Sequence, residues 1–462
     1  MSDNKELREK LFYEQKNGYD LIDTDERIAL EEFCEGYKAY LDNARTEREA
    51  VNEAIRLAEA EGFVPYTYGM EVKPGMKLYR NNRCKSLMLA VIGSKSLAEG
   101  VNIAAAHVDA PRLDLKQIPL HEDSEFAYFR THYYGGIKKY QWLAVPLELH
   151  GVVTLKNGEN VEIVIGKDPS DPQLVITDVL PHLAKDQLSK NAMEIIAAEK
   201  MNILLGSVPY DDEGSDRVKL AIMSLLNDTY GITEEDFLSA EIQAVPSYPT
   251  RDVGLDRSFV GGYGHDDRVC AYCELKAILS IENPEHTAVC ILADKEEIGS
   301  EGTSGMQSQA FECFMEDLCD AQGVALRHCF ANSFCLSADV CNAYDPMFAE
   351  ISEKRSNAKC NYGMGILKFT GRAGKGGTND ADAETVGKLR RIFDDNNVVW
   401  QMGTLGKVDQ GGGGTVALFM SRRNIATIDA GVPVLSMHAP FEIVSKFDTY
   451  MTFKGVKAIY ED

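Results

Sequence analysis

The stretch Ile103-Ala104-Ala105-Ala106-His107-Val108-Asp109 is a short apolar run that ends on an imidazole and a carboxylate. An unbroken apolar run of this length, bounded by polar residues, is the pattern of a strand buried on both faces. Other runs end in the same way. Residues 288–293 lead to Glu296 and Glu297, residues 335–338 to Asp339, and the extended stretch 425–437 to His438. Helical periodicity is read over 267–281, 304–321, 380–393 and 415–423, with further strand-like runs at 87–92 and 398–402. This alternation predicts an α/β fold, a largely parallel sheet flanked by helices. In such a sheet the strand ends gather at one edge, and ligands bind there.

Before and between these elements the texture differs. Residues 5–61 are charged with interrupted apolar positions such as Phe33, Tyr37 and Leu41, which suits amphipathic helices on the outside of a domain. From about 118 to 245 the chain favours antiparallel strands, with alternating runs at 151–155 and 161–165 on either side of the turn dipeptide Asn157-Gly158. The expected organisation is therefore a catalytic unit of residues 1–117 plus 248–462, interrupted by an inserted β-rich unit at 118–247.

Charge narrows the function. With 48 Lys+Arg against 72 Asp+Glu among 462 residues, the formal charge is −24. A nucleic-acid surface needs clustered cations to displace phosphate counterions, and an anionic membrane would repel this chain. Neither is an expected partner. Eleven cysteines without framework spacing suggest reduced thiols. The first residues lack an apolar signal core, and no apolar run approaches the ~18 residues of a membrane span. The expected location is the cytoplasm.

His107, Asp109, Glu296, Glu297, Asp339 and His438 thus converge on one sheet edge, joined by Asp266 at the start of a helical stretch in Gly264-His265-Asp266-Asp267-Arg268. Imidazoles and carboxylates together make an N/O metal site by ligand type. Singly, each motif has a bland reading: an adjacent Glu pair is usually solvated, Asp339 could cap a turn, and His438 could be a core histidine. Their joint placement at successive strand ends carries the argument. Rival signals fail. In Gly371-Arg372-Ala373-Gly374-Lys375-Gly376 a glycine stands where a phosphate loop needs Ser or Thr. Cys270-Ala271-Tyr272-Cys273 has no second pair, and no His-Glu-x-x-His occurs.

The segments AAHVDAPRLDLK (105–116), YGHDDRVCAY (263–272), DKEEIGSEGTSG (294–305), SADVCNAYDP (337–346), KFTGRAGKGGTNDADAE (368–384) and SMHAPFE (436–442) together resemble the aspartyl aminopeptidase family of metallopeptidases, in a bacterial branch. The glutamyl-aminopeptidase group shares the HxD, DDR and EE elements on shorter chains. Leu180-Pro181-His182-Leu183-Ala184, in the insertion, is similar to an aspartyl aminopeptidase feature, whereas Asp266-Asp267 departs from the Asp-Asn of eukaryotic members. The resemblance implies two divalent metal ions per subunit, zinc first, with manganese or cobalt also suited to these ligands. Asp266 would bridge them, His107 and Asp339 would complete one site, and Glu297 and His438 the other. Asp109 would orient the His107 ring and Glu296 would be the general base. It also implies dimers formed through the insertion and assembled into a dodecamer, with His182 reaching the neighbouring subunit's active site. An acidic substrate side chain would meet Lys368 or, in the adjoining glycine-rich loop, Lys375. The activity implied is release of N-terminal residues, acidic ones first, from peptides. An amidohydrolase or deacylase on the same scaffold, and a non-catalytic assembly protein, are the competing readings.

Overall fold

Val101–His107 runs near the middle of a nine-stranded sheet. The strands follow in the order Val64–Pro65, Lys77–Asn82, Ser86–Val91, Thr287–Ala293, Val101–His107, Phe334–Ser337, Ala426–Gly431, Met364–Leu367 and Trp400–Met402. The computed structural model describes residues 2–462. Thr287–Ala293, Val101–His107, Phe334–Ser337 and Ala426–Gly431 are parallel to one another. Antiparallel pairings flank this parallel centre on both sides.

Successive side chains of a strand point to opposite faces, and here both faces are covered. Leu87, Leu89, Ala104, Ala106, Cys290 and Leu292 join one core, packed under the helices Thr24–Asn43, Glu47–Ala60, His265–Leu279, Ala383–Asp395 and Lys446–Glu461. Met88, Ala90, Ile103, Ala105, Val289 and Ile291 join the other, under Ala310–Ala321, Leu326–Asn332 and Val416–Arg422. Double coverage is why these strands read as unbroken apolar runs. Four of the five helices of the first set start on a side-chain cap: Asp23 accepts the Glu26 N–H, Thr46 and Glu49 form a reciprocal capping box, Asp382 accepts the Thr385 N–H, and Ser445 accepts the Asp448 N–H, whereas His265–Leu279 follows Gly264 without one. Among the described residues no helix is long and apolar enough to cross a membrane.

A second sheet is wholly antiparallel, in the order Asn160–Ile165, Leu147–Thr154, Ala240–Pro246, Arg112–Asp123, Phe126–Tyr134 and Ile203–Gly206. Thr154 pairs with Asn160 across the Asn157-Gly158 turn. The helix Arg217–Tyr230 covers it through Val218 and Leu226. The Arg112–Asp123 strand follows directly on the His107-Val108-Asp109 loop, so this sheet grows out of the edge of the first.

Some boundaries move. The 425–437 stretch is two strands, Ala426–Gly431 in the large sheet and Pro433–Leu435 in a third, five-stranded sheet with Arg251–Val253, Phe259–Gly262, Glu442–Ser445 and Cys341–Asn342. The chain divides after Gly431, where a Cβ would lie 2.0 Å from the Asp339 carbonyl oxygen. The helix expected from 304 begins only at Ala310. Ser304 instead donates to Asp294 Oδ2 at 2.5 Å, which folds 299–309 back as a loop. The helix expected from 380 starts at Ala383, because Asp382 caps it by accepting the Thr385 N–H at 2.7 Å.

Candidate metal centre

Register brings the strand ends level. Ala293 pairs with His107, and Ser337 with Ala105, so Asp339 and the turn carrying Glu296 and Glu297 leave the sheet beside His107. Asp266 enters from the start of the helix His265–Leu279, across a cis Asp266-Asp267 peptide, and His438 from the loop after Pro433–Leu435.

The Asp266 carboxylate stands between the two imidazoles. Its Oδ1 is 3.2 Å from His107 Nε2, and its Oδ2 is 3.2 Å from His438 Nε2. His107 Nε2 also lies 3.7 Å from Glu296 Oε2 and 3.9 Å from Asp339 Oδ1, while His438 Nε2 lies 3.6 Å from Glu297 Oε1. On the far side of each ring, Nδ1 of His107 meets the Asp109 carbonyl oxygen at 3.0 Å, and Nδ1 of His438 meets that of Gly136 at 2.7 Å. A carbonyl only accepts, so each Nδ1 carries the proton and each Nε2 is turned to the carboxylates. Donor atoms of His107, Asp266 and Glu297 lie within 4.8 Å of one another, as do those of His107, Asp267 and Asp339.

The electrostatics call for positive charge. Burial pushes Glu296 up to about 7 and Glu297 well above the carboxylate range. Burial and then the Asp267 charge do the same to Asp339. Burial opposes a charged His438, yet the Asp266 hydrogen bond and the Glu297 charge outweigh it and raise the ring to about 11. Glu297 Oε1 is buried with no hydrogen-bond donor. Asp266 shifts the other way: burial opposes its charge, but its bonds to His107 and His438 hold it below the usual carboxylate range. A set of carboxylate and imidazole atoms sharing this small volume fits divalent cations by donor chemistry.

Further side chains hold this set in place. Asp109 accepts the backbone N–H of Glu296 at 3.1 Å, that of Glu297 at 3.2 Å, and the Tyr134 hydroxyl at 2.8 Å. Asp267 accepts the N–H of His107 at 3.3 Å and of Val340 at 3.2 Å, tying the loops on either side. Glu442, 1% exposed, accepts the N–H of Asp266 and of His438. Buried Arg268 donates from Nε to the Val108 carbonyl oxygen at 3.0 Å. Sequence reasoning assigned no role to Glu442, Asp267, Arg268 or Tyr134. The first three stand inside the quoted segments, a usable signal; Tyr134 has none.

The structure thus brings together His107, Asp109, Asp266, Glu296, Glu297, Asp339 and His438, and leaves the other candidates apart. His182, in the turn Pro181–Leu183, is exposed and hydrogen-bonds none of them. Lys375 pairs with Asp380 at 2.9 Å and lies over the Phe369 ring. Lys368 is half-buried in the bend after Met364–Leu367, an interior strand of the large sheet. Above the carboxylates opens a cleft of about 480 Å³, and the cation on its wall is Arg372.

Comparison with known proteins agrees with this chemistry. Residues 40–460 match the family described as aminopeptidase I zinc metalloprotease (M18). A probable M18 family aminopeptidase 1 of Clostridium acetobutylicum is 46% identical over 457 residues, covering 97% of this chain and 98% of that relative. One of Borrelia garinii is 43% identical over 456 residues, covering 97% and 100%. The crystal structure of the M18 aminopeptidase from Thermotoga maritima superposes with a TM-score of 0.94 at 41% identity, over 97% of this chain and 100% of that one. The S. cerevisiae mApe1 dodecamer, at 19% identity and a TM-score of 0.74 over 92% of this chain and 95% of that one, shares the fold. The donor set at the sheet edge and these matches over nearly the whole length agree: the chain belongs to the M18 family of aminopeptidase I zinc metalloproteases and is a metal-dependent aminopeptidase.

Proposed function

We propose that this aminopeptidase works with two divalent cations, zinc first and manganese or cobalt as alternatives, and releases N-terminal residues, Asp and Glu above others, from peptides. The observation that carries the reading is the Asp266 carboxylate, with one oxygen 3.2 Å from each of two imidazoles. Asp266 would be shared between the cations, His107 and Asp339 would complete one site, and Glu297 and His438 the other. When bound, such a pair acidifies a water and polarises the scissile carbonyl. Glu296, on the cleft wall beside these ligands, takes the water's proton and returns it to the leaving amine. Asp109 orients His107 and, through two backbone N–H groups, aims the Glu296-Glu297 pair. Both oxygens of Asp267 accept backbone N–H groups, which suits support rather than ligation.

Selection of an acidic side chain in a chain of charge −24 needs a local cation. Arg372 comes first by its position on the cleft, Lys368 second, and Lys375, paired with Asp380, last. Residues 118–247 form the dimerisation unit on the catalytic unit of 1–117 plus 248–462, and the dimers build a dodecamer in which His182 enters the neighbouring site. Leu180, Leu183 and Leu188 around His182 are 51%, 73% and 66% exposed, and the yeast relative assembles as a dodecamer, which supports that reading. The cysteines, all free, suit a reducing cytoplasm.

The test is a metal count on purified protein alongside turnover of Asp-, Glu-, Ala- and Leu-peptides and their N-acetylated forms. Two metals per chain, preference for acidic N-termini and inert acetylated substrates are expected. Full activity with one metal would sink the dinuclear reading, and preference for neutral N-termini the acidic one.

A further inference from the structure

The strand Phe126–Tyr134 belongs to the antiparallel sheet, yet its end touches both halves of the metal centre. Tyr134, 8% exposed, donates its hydroxyl to Asp109 Oδ2 at 2.8 Å. Gly135 has a φ of +73°, and a Cβ there would meet Glu297 Oε2 at 3.1 Å. Gly136 accepts from His438 Nδ1 at 2.7 Å.

Asp109 is where this contact acquires leverage. A carboxylate has about four lone-pair positions, and three on Asp109 are taken: Tyr134 and the Glu297 N–H on Oδ2, the Glu296 N–H on Oδ1, while His107 Nδ1, bonded to the Asp109 carbonyl oxygen, stands 3.3 Å from Oδ1. With donors on both oxygens, the carboxylate is held in one orientation, and the backbone of the Glu296-Glu297 pair follows it. Tyr134 is itself fixed. The Arg112 guanidinium lies 3.7 Å over its ring and is anchored by Asp114 at 2.8 Å and Glu47 at 3.7 Å.

We propose that Tyr134 is a positioning residue, through which the antiparallel sheet sets the backbone of the Glu296-Glu297 pair by way of Asp109. The inference rests on the roles proposed above for that pair. It also gives the sheet a direct line to its own subunit's chemistry, so displacement of the Phe126–Tyr134 strand would be felt at the catalytic carboxylates.

The experiment uses full-length Tyr134→Phe, which removes one oxygen, with Tyr230→Phe as control. Tyr230 makes a comparable hydroxyl bond to the Val164 carbonyl oxygen at 2.7 Å in the same sheet, away from the site. Amide hydrogen exchange in the metal-free protein is the first readout. Exchange over residues 295–298 should quicken about ten- to a hundredfold in Tyr134→Phe, the effect of losing a bond to a charged acceptor, and stay at the wild-type rate in Tyr230→Phe. In the metal-saturated enzyme, kcat should fall by about the same factor with KM within about twofold, at unchanged assembly size and Tm. Wild-type exchange in Tyr134→Phe, or equal quickening in Tyr230→Phe, would overturn the inference. Faster exchange with undiminished kcat would uphold the positioning link and sink the roles assigned to the glutamates. Should Tyr134→Phe fail to fold, Asp109→Asn read by the same exchange decides: wild-type rates over 295–298 would overturn the link.

Discussion

Glu442 holds His438 by its backbone, Glu442 Oε1 accepting the His438 N–H at 2.7 Å. Its other oxygen accepts the Asp266 N–H at 3.0 Å, so one buried carboxylate fixes two residues whose side chains meet at 3.2 Å. Glu442→Gln sets an amide NH2 against one of those N–H groups. Zinc affinity should fall about 10- to 100-fold, as for other partners that orient metal ligands, with the fold retained. Competitive chelator titration measures it, and an unchanged affinity would show that the backbone holds its place without the carboxylate.

Glu296 and Glu297 are neighbours with different expected phenotypes. Glu296→Gln should keep its metals and substrate affinity while turnover drops by about two to four orders of magnitude. Glu297→Gln should lose metal. Metal analysis beside steady-state kinetics separates them, and the opposite pattern would reverse the assignment within the pair.

Chelation should abolish turnover and also lower Tm. Donor atoms of Asp266 and Glu297, and separately those of Asp267 and Asp339, crowd against His107, and a ligand held at 1,000 times its Kd stabilises the native state by about 4 kcal/mol. Differential scanning calorimetry with and without chelator checks this; coincident melting curves would mean that the cluster is not a cation site.

If His182 serves the neighbouring subunit, inactive chains should complement one another. Co-expressed His182→Ala and Glu296→Gln chains can form a hybrid dimer with one site complete. Activity above that of either variant alone is expected, once hybrids are shown by mass spectrometry; none would leave His182 as a surface residue of its own turn.

Arg372 and Lys368 can be ranked. Arg372→Met should lower kcat/KM on N-terminal Asp or Glu by about ten- to a hundredfold, a loss of ~1.4 kcal/mol per decade, and spare Ala and Leu substrates. Lys368→Met should do less. Equal losses on acidic and neutral substrates would point to the metal centre or to folding instead.

Much of this protein is local in origin. The apolar runs at 103–106, 288–293 and 335–338 are strands because both faces of the sheet are covered, and that condition writes itself into consecutive residues. Their order implies the parallel centre, and the polar residues that follow each run mark the edge where His107, Glu296, Glu297 and Asp339 emerge. The Asn157-Gly158 turn is equally local, since backbone geometry at two residues suffices for it.

What no local pattern encodes is which distant backbones come within reach of one another. The division of 425–437 between two sheets follows from the Asp339 carbonyl packed against Gly431. The clamp of Glu442 on Asp266, and the bond from Tyr134 to Asp109, depend on where separate sheets meet. Arg372 rather than Lys368 lines the cleft because the strand ends at Leu367 and the chain turns there. Periodicity and strand-end chemistry are properties of neighbours in the chain, so the fold class and the polar residue types at the sheet edge were legible there. Hydrogen bonds across many intervening residues depend on register and topology, so which carboxylate holds which loop is visible only in the folded chain.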